Sequence, residues 1–412
     1  PVLKNYLKIA WKVFLRRKFF TFISLFGISL TLVVLLVVTA ILDHSYAKFP
    51  PEVNQDRTIG CFALWKTDSN STYGGGPPGY RFLDRYTRDL PYVEKHSFYA
   101  AGDAYSFVNG ERIVSSLKRT DGAFWQILQF EFLEGSPFSE EDNKRANFVA
   151  VINEATRRKF FGDQPAVGKM IEADGQRFRV VGVVANVSRL RWVAFSDIWV
   201  PISTSKTDWY QKEFSSNYVG IYLVRSKADI PAVQDEFRSR LPRIMEAEGF
   251  TELAVSLQSQ FELLSSRLFG GRSGESRVGI LLTVLILNAI LFMLLPAINM
   301  ININVSRIME RASEIGIRKA FGASSVSLVA QFVVESVLLS IIGGMIGLAG
   351  SYLILAVISR SGLIQYASFT INYRIFAYGL ALAAFFGLFS GVYPAWRMSR
   401  LHPVHALRGG LR

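Results

Sequence analysis

One cysteine (Cys61) and four histidines are spread through 412 residues. An intramolecular disulfide is therefore excluded, and so is any cysteine-rich zinc or iron–sulfur site built from this chain alone. Charge is scarce as well: 19% of residues are charged, against about 25% in an ordinary soluble chain. Half of the residues are hydrophobic, and the mean hydropathy is +0.24. A soluble chain of this length would hold two or three domains at about 150 residues each. The shortage of charge points instead to a membrane protein.

Four long apolar runs carry the hydropathy, each near the ~20 residues that a helix needs to cross a bilayer. The first is Phe19 to Leu42, without a charge and without a small-residue cleavage site, so it reads as a retained anchor. The second, Val278 to Ile303, contains Asn288, Asn299 and Asn302 and is interrupted by Pro296. The third, Val326 to Ile358, contains Gln331 and Glu335 and then the run GGMIGLAG, Gly343 to Gly350. The fourth is Ile375 to Trp396. Between the first and the second lies a segment of soluble composition, residues 43–277.

Acidic residues are missing from two of the flanks. Lys4, Lys8, Lys12, Arg16, Arg17 and Lys18 precede the first run with no acid among them, and Arg397, Arg400, Arg408 and Arg412 follow the fourth in the same way. The loop of residues 304–325 has Arg307, Arg311, Arg318 and Lys319 against Glu310 and Glu314, whereas residues 43–277 hold thirty bases and thirty acids. Nearly all of the net charge of +13 thus falls on one side of the spans, which places both termini and residues 304–325 in the cytoplasm and the large segment outside. The basic excess is topological, and no nucleic-acid partner is expected. Lys4, Lys8 and Lys12 also face away from Leu3, Leu7, Trp11, Phe14 and Leu15, so residues 1–18 predict an amphipathic helix along the inner headgroups, in contact with membrane lipid.

The outer segment reads as mixed α/β. Strands are expected at Thr58–Trp65, Phe148–Ile152, Lys169–Ala173, Gln176–Val184, Tyr218–Val224 and Thr251–Leu257, with a hairpin at Asp174-Gly175. Helices are expected at Tyr80–Leu90, Glu154–Phe161 and Ile230 to about Ala247, with Pro231 in the first turn of the last. Ser69 to Gly79 is expected to be irregular because of its glycines and prolines. Residues 43–111 and 202–265 would form one subdomain, with a strand-rich subdomain of residues 112–201 inserted. Trp192, Phe195, Trp199 and Tyr210 to Phe214 could make an exposed patch or, more in keeping with such residues, an internal core.

No catalytic constellation is visible. His44 and His96 stand apart from any Ser–Asp pair. Glu140, Glu141 and Asp142 look like a solvated loop, with nothing apolar to separate their pKa values. Gly270 to Ser276 (GGRSGES) lacks the Lys-Ser/Thr ending of a phosphate loop. No catalytic residue, no metal site and no directly bound cofactor are expected.

The loop between the second and third spans reads SEIGIRKAFGAS, Ser313 to Ser324. Ser313 can cap a short helix that Gly322 ends, with Glu314 at its positive end and Arg318 and Lys319 at its negative end. Ile315, Ile317, Ala320 and Phe321 supply apolar knobs suited to a groove on a partner.

EIGIRKAFGAS, the following QFVVES, GGMIGLAG and the closing GVYPAWRMSRLHPVHALRGG together resemble the permease domain of MacB/FtsX-type ABC transporters. The opening LKNYLKIAWKVFLRRKFFTFISLFGISL and the stretch Phe148 to Val187 are similar to that family's first span and its extracytoplasmic domain. The resemblance implies an α-helical membrane protein with four transmembrane helices in a 1+3 arrangement and a large α/β extracytoplasmic domain, porter-like with a β-rich insertion, between spans 1 and 2. The expected organisation is a cytoplasmic helix (1–18), span 1 (19–42), the outer domain (43–277), span 2 (278–303), a cytoplasmic loop (304–325), span 3 (326–358), a short external loop (359–374), span 4 (375–396) and a cytoplasmic tail (397–412).

The resemblance further implies that Glu314, Ile315, Gly316, Ile317, Arg318, Lys319, Ala320, Phe321 and Gly322 form a coupling helix seated on a separate ABC ATPase subunit. ATP and Mg would belong to that partner, leaving this chain non-catalytic. A second permease copy or a paralogue would complete a dimer in the cell inner membrane, with a membrane fusion protein and an outer-membrane channel as further candidate partners. Cargo would be a peptide, a lipoprotein or a drug-like molecule, moved by mechanotransmission; the alternative is an FtsX-like transmitter that activates an extracytoplasmic hydrolase or acts as a sensor. The sequence shows no polar stripe that would line a hydrated path. Gln331 and Glu335 are the intramembrane polar candidates, Glu335 about 9 residues, or roughly 14 Å, past Val326. Gly343, Gly347 and Gly350 form a small-residue face for packing, either within the chain or in a dimer.

Overall fold

The computed structural model describes residues 2–16, 18–68, 73–108, 111–270, 276–310 and 325–381, together with four positions between 384 and 392. The chain divides into two units, one of residues 1–44, 283–363 and 369–412 and the other of residues 45–282 and 364–368. The first unit opens with helix α1, Val2–Arg16. Helix α2, Lys18–Tyr46, contains the first apolar run and extends beyond its end at Leu42. Its polar residues satisfy themselves locally: Ser29 Oγ donates to Leu25 O at 2.6 Å and Thr39 Oγ1 to Leu35 O at 2.7 Å, as side chains without water must.

The second unit is built on one sheet. In chain order it contains β1 (Thr58–Asp68), β2 (Tyr73–Gly76), α3 (Tyr80–Thr87), β3 (Val93–Val108), β4 (Glu111–Thr120), α4 (Phe124–Ile127) and β5 (Phe132–Gly135). There follow α5 (Glu140–Lys144), β6 (Val149–Asn153), α6 (Glu154–Phe161), β7 (Met170–Ala173), β8 (Gln176–Val184) and β9 (Ile198–Pro201). The unit closes with β10 (Tyr218–Val224), α7 (Ile230–Glu248), β11 (Phe250–Gln258) and α8 (Gln260–Leu268). Among the described residues the strand order is β11-β1-β10-β3-β4-β9-β6-β8-β5, with β2 added to β1 and β7 to β8. Pairing is antiparallel except for β4 with β9 and β6 with β8.

Strand β10 shows why the sheet is covered on both faces. All seven of its residues, YVGIYLV, are buried, as a near-continuous apolar strand requires. Tyr218, Tyr222 and Val224 point into a core with Phe82 and Leu83 of α3 and Val233, Phe237 and Ile244 of α7. The alternate residues Val219, Ile221 and Leu223 enter a second core with Phe124, Trp125, Trp199 and Leu263. A third core, from Ala104 to Val200, gathers Ile152, Phe178, Val180 and Ile198. The two-residue period of the strand thus feeds two different cores. Helix α7 starts with Pro231 in its first turn and ends at Gly249, whose φ of 70° is the left-handed cap that glycine adopts freely. Asp174 and Gly175 have φ of 53° and 69°, as a two-residue turn with both central residues left-handed demands.

Three expectations are corrected. Ser69 to Gly79 is not wholly irregular, because Tyr73–Gly76 pairs with β1; a Cβ on Gly75 would lie 1.7 Å from the Trp65 ring, so glycine is what lets this strand lie under the indole. Glu140 to Asp142 are not loop: Ser139 and Asp142 form a reciprocal capping box that starts α5. Pro296 does not interrupt the second apolar run, which is one helix, α9, Val278–Glu310. Of the two readings of the aromatic residues, the internal core is the one found: Trp199 is fully buried in the second core and Phe214 is buried in the first, with Tyr210 packed against it.

The first unit continues with α9 and with α10, Ser325–Ser361. Among the described residues, two stretches are long and apolar enough to cross a membrane, Lys18–Tyr46 with hydropathy 2.8 and Val333–Ser361 with hydropathy 2.2; Val278–Phe292 is a shorter apolar segment. Ala10 and Phe14 of α1 pack against Leu339 of α10. Residues 373–381 are helical.

Candidate functional site

The expected coupling helix, Glu314, Ile315, Gly316, Ile317, Arg318, Lys319, Ala320, Phe321 and Gly322, lies outside the described residues, as does the tail of residues 397–412. The intramembrane candidates are placed. Gln331 and Glu335 are both buried, one helical turn apart on α10. Gly343, Gly347 and Gly350 lie along α2: added Cβ atoms would fall 2.8 Å from Ile28 Cγ2, 3.0 Å from Leu32 Cβ and 3.1 Å from Val33 Cγ2. The absence of side chains also lets Ser29 Oγ reach Gly343 O at 3.0 Å, and Thr31 Oγ1 reaches Phe292 O on α9 at 3.2 Å. Close backbone approach with hydroxyl bridges is how helices associate without a hydrophobic drive.

Among the described residues no group of histidine, cysteine and carboxylate side chains could hold a metal ion. Cys61 is fully buried, and burial pushes its thiol up, away from the reactive thiolate. Asp121 has the look of a perturbed acid, pushed up to about 6 by burial. Its oxygens are nevertheless occupied structurally, by Ser97 Oγ at 2.6 Å and the amides of Phe98 at 3.0 Å and Phe124 at 3.1 Å.

Sequence reasoning missed the main polar constellation of the second unit. Residues 185–197 join β8 to β9 without regular structure, and Arg191 lies almost fully buried within them. Its guanidinium donates to Ala47 O at 2.9 Å, Phe49 O at 3.3 Å and Glu52 Oε2 at 3.1 Å. Glu52 Oε1 accepts from Gln260 Nε2 at 2.9 Å, at the start of α8. Burial raises the Glu52 carboxyl, opposed by Gln260, Arg191 and Lys118. The fully enclosed Lys118 of β4 donates to Val193 O at 2.5 Å and Trp192 O at 3.2 Å, its ammonium 4.4 Å from the Tyr99 ring centroid. Asp197 binds Ser116 N at 2.9 Å through Oδ2, while its Oδ1 accepts from Asn153 Nδ2 at 3.0 Å and Tyr366 OH at 3.0 Å. The available signal was Arg191 standing inside VSRLRWVAFSDIWV, since a charge in so apolar a stretch must find partners.

A family model described as the MacB-like periplasmic core domain matches residues 21–240, more than half of the chain, and one described as the FtsX-like permease C-terminal matches residues 286–403. The chain belongs to the MacB/FtsX-type permeases of ABC transporters. The macrolide export ATP-binding/permease protein MacB of Bdellovibrio bacteriovorus is 32% identical over 304 residues, which is 69% of this chain and 42% of that protein. The ABC transporter permease YknZ of Bacillus subtilis is 24% identical over 303 residues, 72% of this chain and 71% of that one. The pyoverdine export ATP-binding/permease protein PvdT of Pseudomonas syringae pv. tomato is 26% identical over 411 residues, 97% of this chain and 59% of that protein. This chain therefore spans less than half the length of its MacB relative.

Proposed function

We propose that the chain is the membrane subunit of a MacB-type ABC transporter, with four spans in a 1+3 arrangement and an outer domain moved by ATP hydrolysis in a separate nucleotide-binding subunit. The observation that carries this reading is the pairing, in one chain, of a MacB-like periplasmic core domain with an FtsX-like permease C-terminal segment. Support for mechanical action comes from the helices: α2 and α10 meet closely through a glycine face and the Ser29 Oγ to Gly343 O bond. Cargo of peptide, lipoprotein or drug-like character is the extension suggested by relatives named for macrolide and pyoverdine export. A dimer with a second copy or a paralogue completes the proposal.

The test is made at Glu314 and Arg318. The complex purified from native membranes with its ATPase subunit is expected to hydrolyse ATP, and a spin-label pair in the outer domain should change its distance with nucleotide. Glu314→Ala with Arg318→Ala should leave membrane insertion intact and reduce that distance change by at least tenfold in amplitude or rate, the effect of about 1.4 kcal/mol of lost coupling. Wild-type coupling in the double variant would sink the coupling-helix assignment. Co-purification of a secreted hydrolase in place of cargo would favour the signalling alternative.

A further inference from the structure

The second unit continues in sequence into the apolar helices at three places. Residues 47–52 follow α2, α8 precedes α9, and residues 364–368 follow α10. All three are held by residues 185–197 or by a side chain those residues bind. Arg191 grips the first stretch through Ala47 O, Phe49 O and Glu52, with its guanidinium 5.6 Å from the Phe49 ring centroid. Glu52 passes the contact on to Gln260 at the head of α8. The third stretch is held by Arg189 N donating to Gln365 O at 3.0 Å, by Tyr366 OH on Asp197, and by the Phe195 ring beside Tyr366.

Two details argue against a casual surface contact. Tyr366 has φ of 56°, a left-handed conformation that a bulky residue keeps only where its surroundings enforce it. Residues 185–197 are themselves fastened to the sheet, by Lys118 on the carbonyls of Trp192 and Val193 and by Ser196 Oγ and Asp197 N on Ser116 O. A carboxylate, a guanidinium and an ammonium enclosed together are costly, and removing one member of such a set leaves the others stranded. The arrangement is therefore stiff, and it shares members between the connections.

We propose that residues 188–197 form a clasp joining the three stretches by which the outer unit continues into the apolar helices, so that displacement of one stretch is delivered to the others. Arg191 and Asp197 are its positioning residues. The inference deepens the mechanical reading above and rests on it for its purpose, but its test needs no ATPase.

Hydrogen–deuterium exchange is measured on the full chain in lipid nanodiscs. Tyr366→Phe removes one hydroxyl and should speed exchange at residues 364–368 roughly five- to tenfold, the factor one lost hydrogen bond is worth. The clasp requires a second, smaller rise at residues 47–52, which Tyr366 does not touch, with β10 unchanged. Glu52→Gln should show the mirror pattern, with the larger rise at residues 47–52 and the smaller at 364–368. A response confined in both variants to the segment whose contact was cut overturns the proposal, because the connections are then held independently. Should one variant expose β10, the other decides by the same criterion; exposure of β10 in both also overturns it, since these groups then serve the fold as a whole. A failed transport assay beside the coupled exchange pattern would count against the transport reading alone.

Discussion

Lys118 is enclosed between the rings of Tyr99 and Phe124 and the carbonyls of residues 192 and 193. Burial pulls its ammonium down to about 7, with Glu52 pulling the other way. Between that value and the ordinary 10.5, the unfolded chain holds a proton that the folded chain has released. Stability from this residue therefore rises with pH across that window, by at most about 1.4 kcal/mol per pH unit, and the contribution is absent below it. Denaturant unfolding of wild type and Lys118→Met at pH 6.5, 8 and 9.5 should show the difference between them changing over this range; a constant difference would exclude the effect. Little of this was legible in the sequence. Lys118 sits in SSLKRT, a stretch that reads as an ordinary polar strand, and nothing local reveals that β9 runs parallel beside it or that the carbonyls of residues 192 and 193 close over its ammonium. Arg191 was more readable, because its neighbours are apolar, but its partners lie some 140 positions earlier.

At the scale of elements, the helix pair α2 and α10 makes the sharpest demand on a single position. A Cβ at Gly347 would sit 3.0 Å from Leu32 Cβ and 3.1 Å from Ser29 O, so a larger side chain must push α2 away. Gly347→Leu should destabilise the purified protein by about 1–3 kcal/mol, as overpacking does, seen as a lower thermal midpoint in detergent. Met345→Leu, at a position 64% exposed on the same helix, should leave the midpoint unchanged. Equal midpoints for Gly347→Leu and wild type would remove this packing role. The glycine face itself was visible in the sequence, but the choice between a partner within the chain and one in a dimer was not, because glycine spacing marks closeness without naming the neighbour. Strands and helices with strong local patterns, such as β8, β10 and α7, were readable nearly to the residue. β2 was not, since its triple glycine works only beneath Trp65, a contact that sequence order hides.

At the scale of the whole molecule, Cys61 supplies a silent background for mapping sidedness. Its side chain is fully buried and its thiol is held protonated by its surroundings, so a membrane-impermeant maleimide should label intact cells carrying the wild-type chain only after denaturation. With that background, Asp103→Cys, exposed on β3, should be labelled from outside, and Lys8→Cys, exposed on α1, only after the membrane is opened. Labelling of residue 8 in intact cells would overturn the orientation drawn from the acid-free flanks. That orientation is an expectation from counting charges alone and depends on no contact. How the strands join was the least legible: nothing in the sequence of β3 reveals that it pairs with both β10 and β4 and so carries the sheet from one to the other.

The order of strands has a price in time during synthesis. β1 is among the first parts of the outer unit to be made, yet its partners β10 and β11 begin at Tyr218 and Phe250. At about 5–20 residues per second, roughly eight to thirty seconds pass before β10 is made and roughly ten to forty before β11 is. Throughout that interval β2, made just after β1, covers Leu64 to Thr67, while the stretch carrying Ile59 and Phe62 keeps an open backbone edge. An exposed apolar edge is a template for wrong pairing, so the arrival of β10 and β11 ends the interval in which this chain is most open to aggregation.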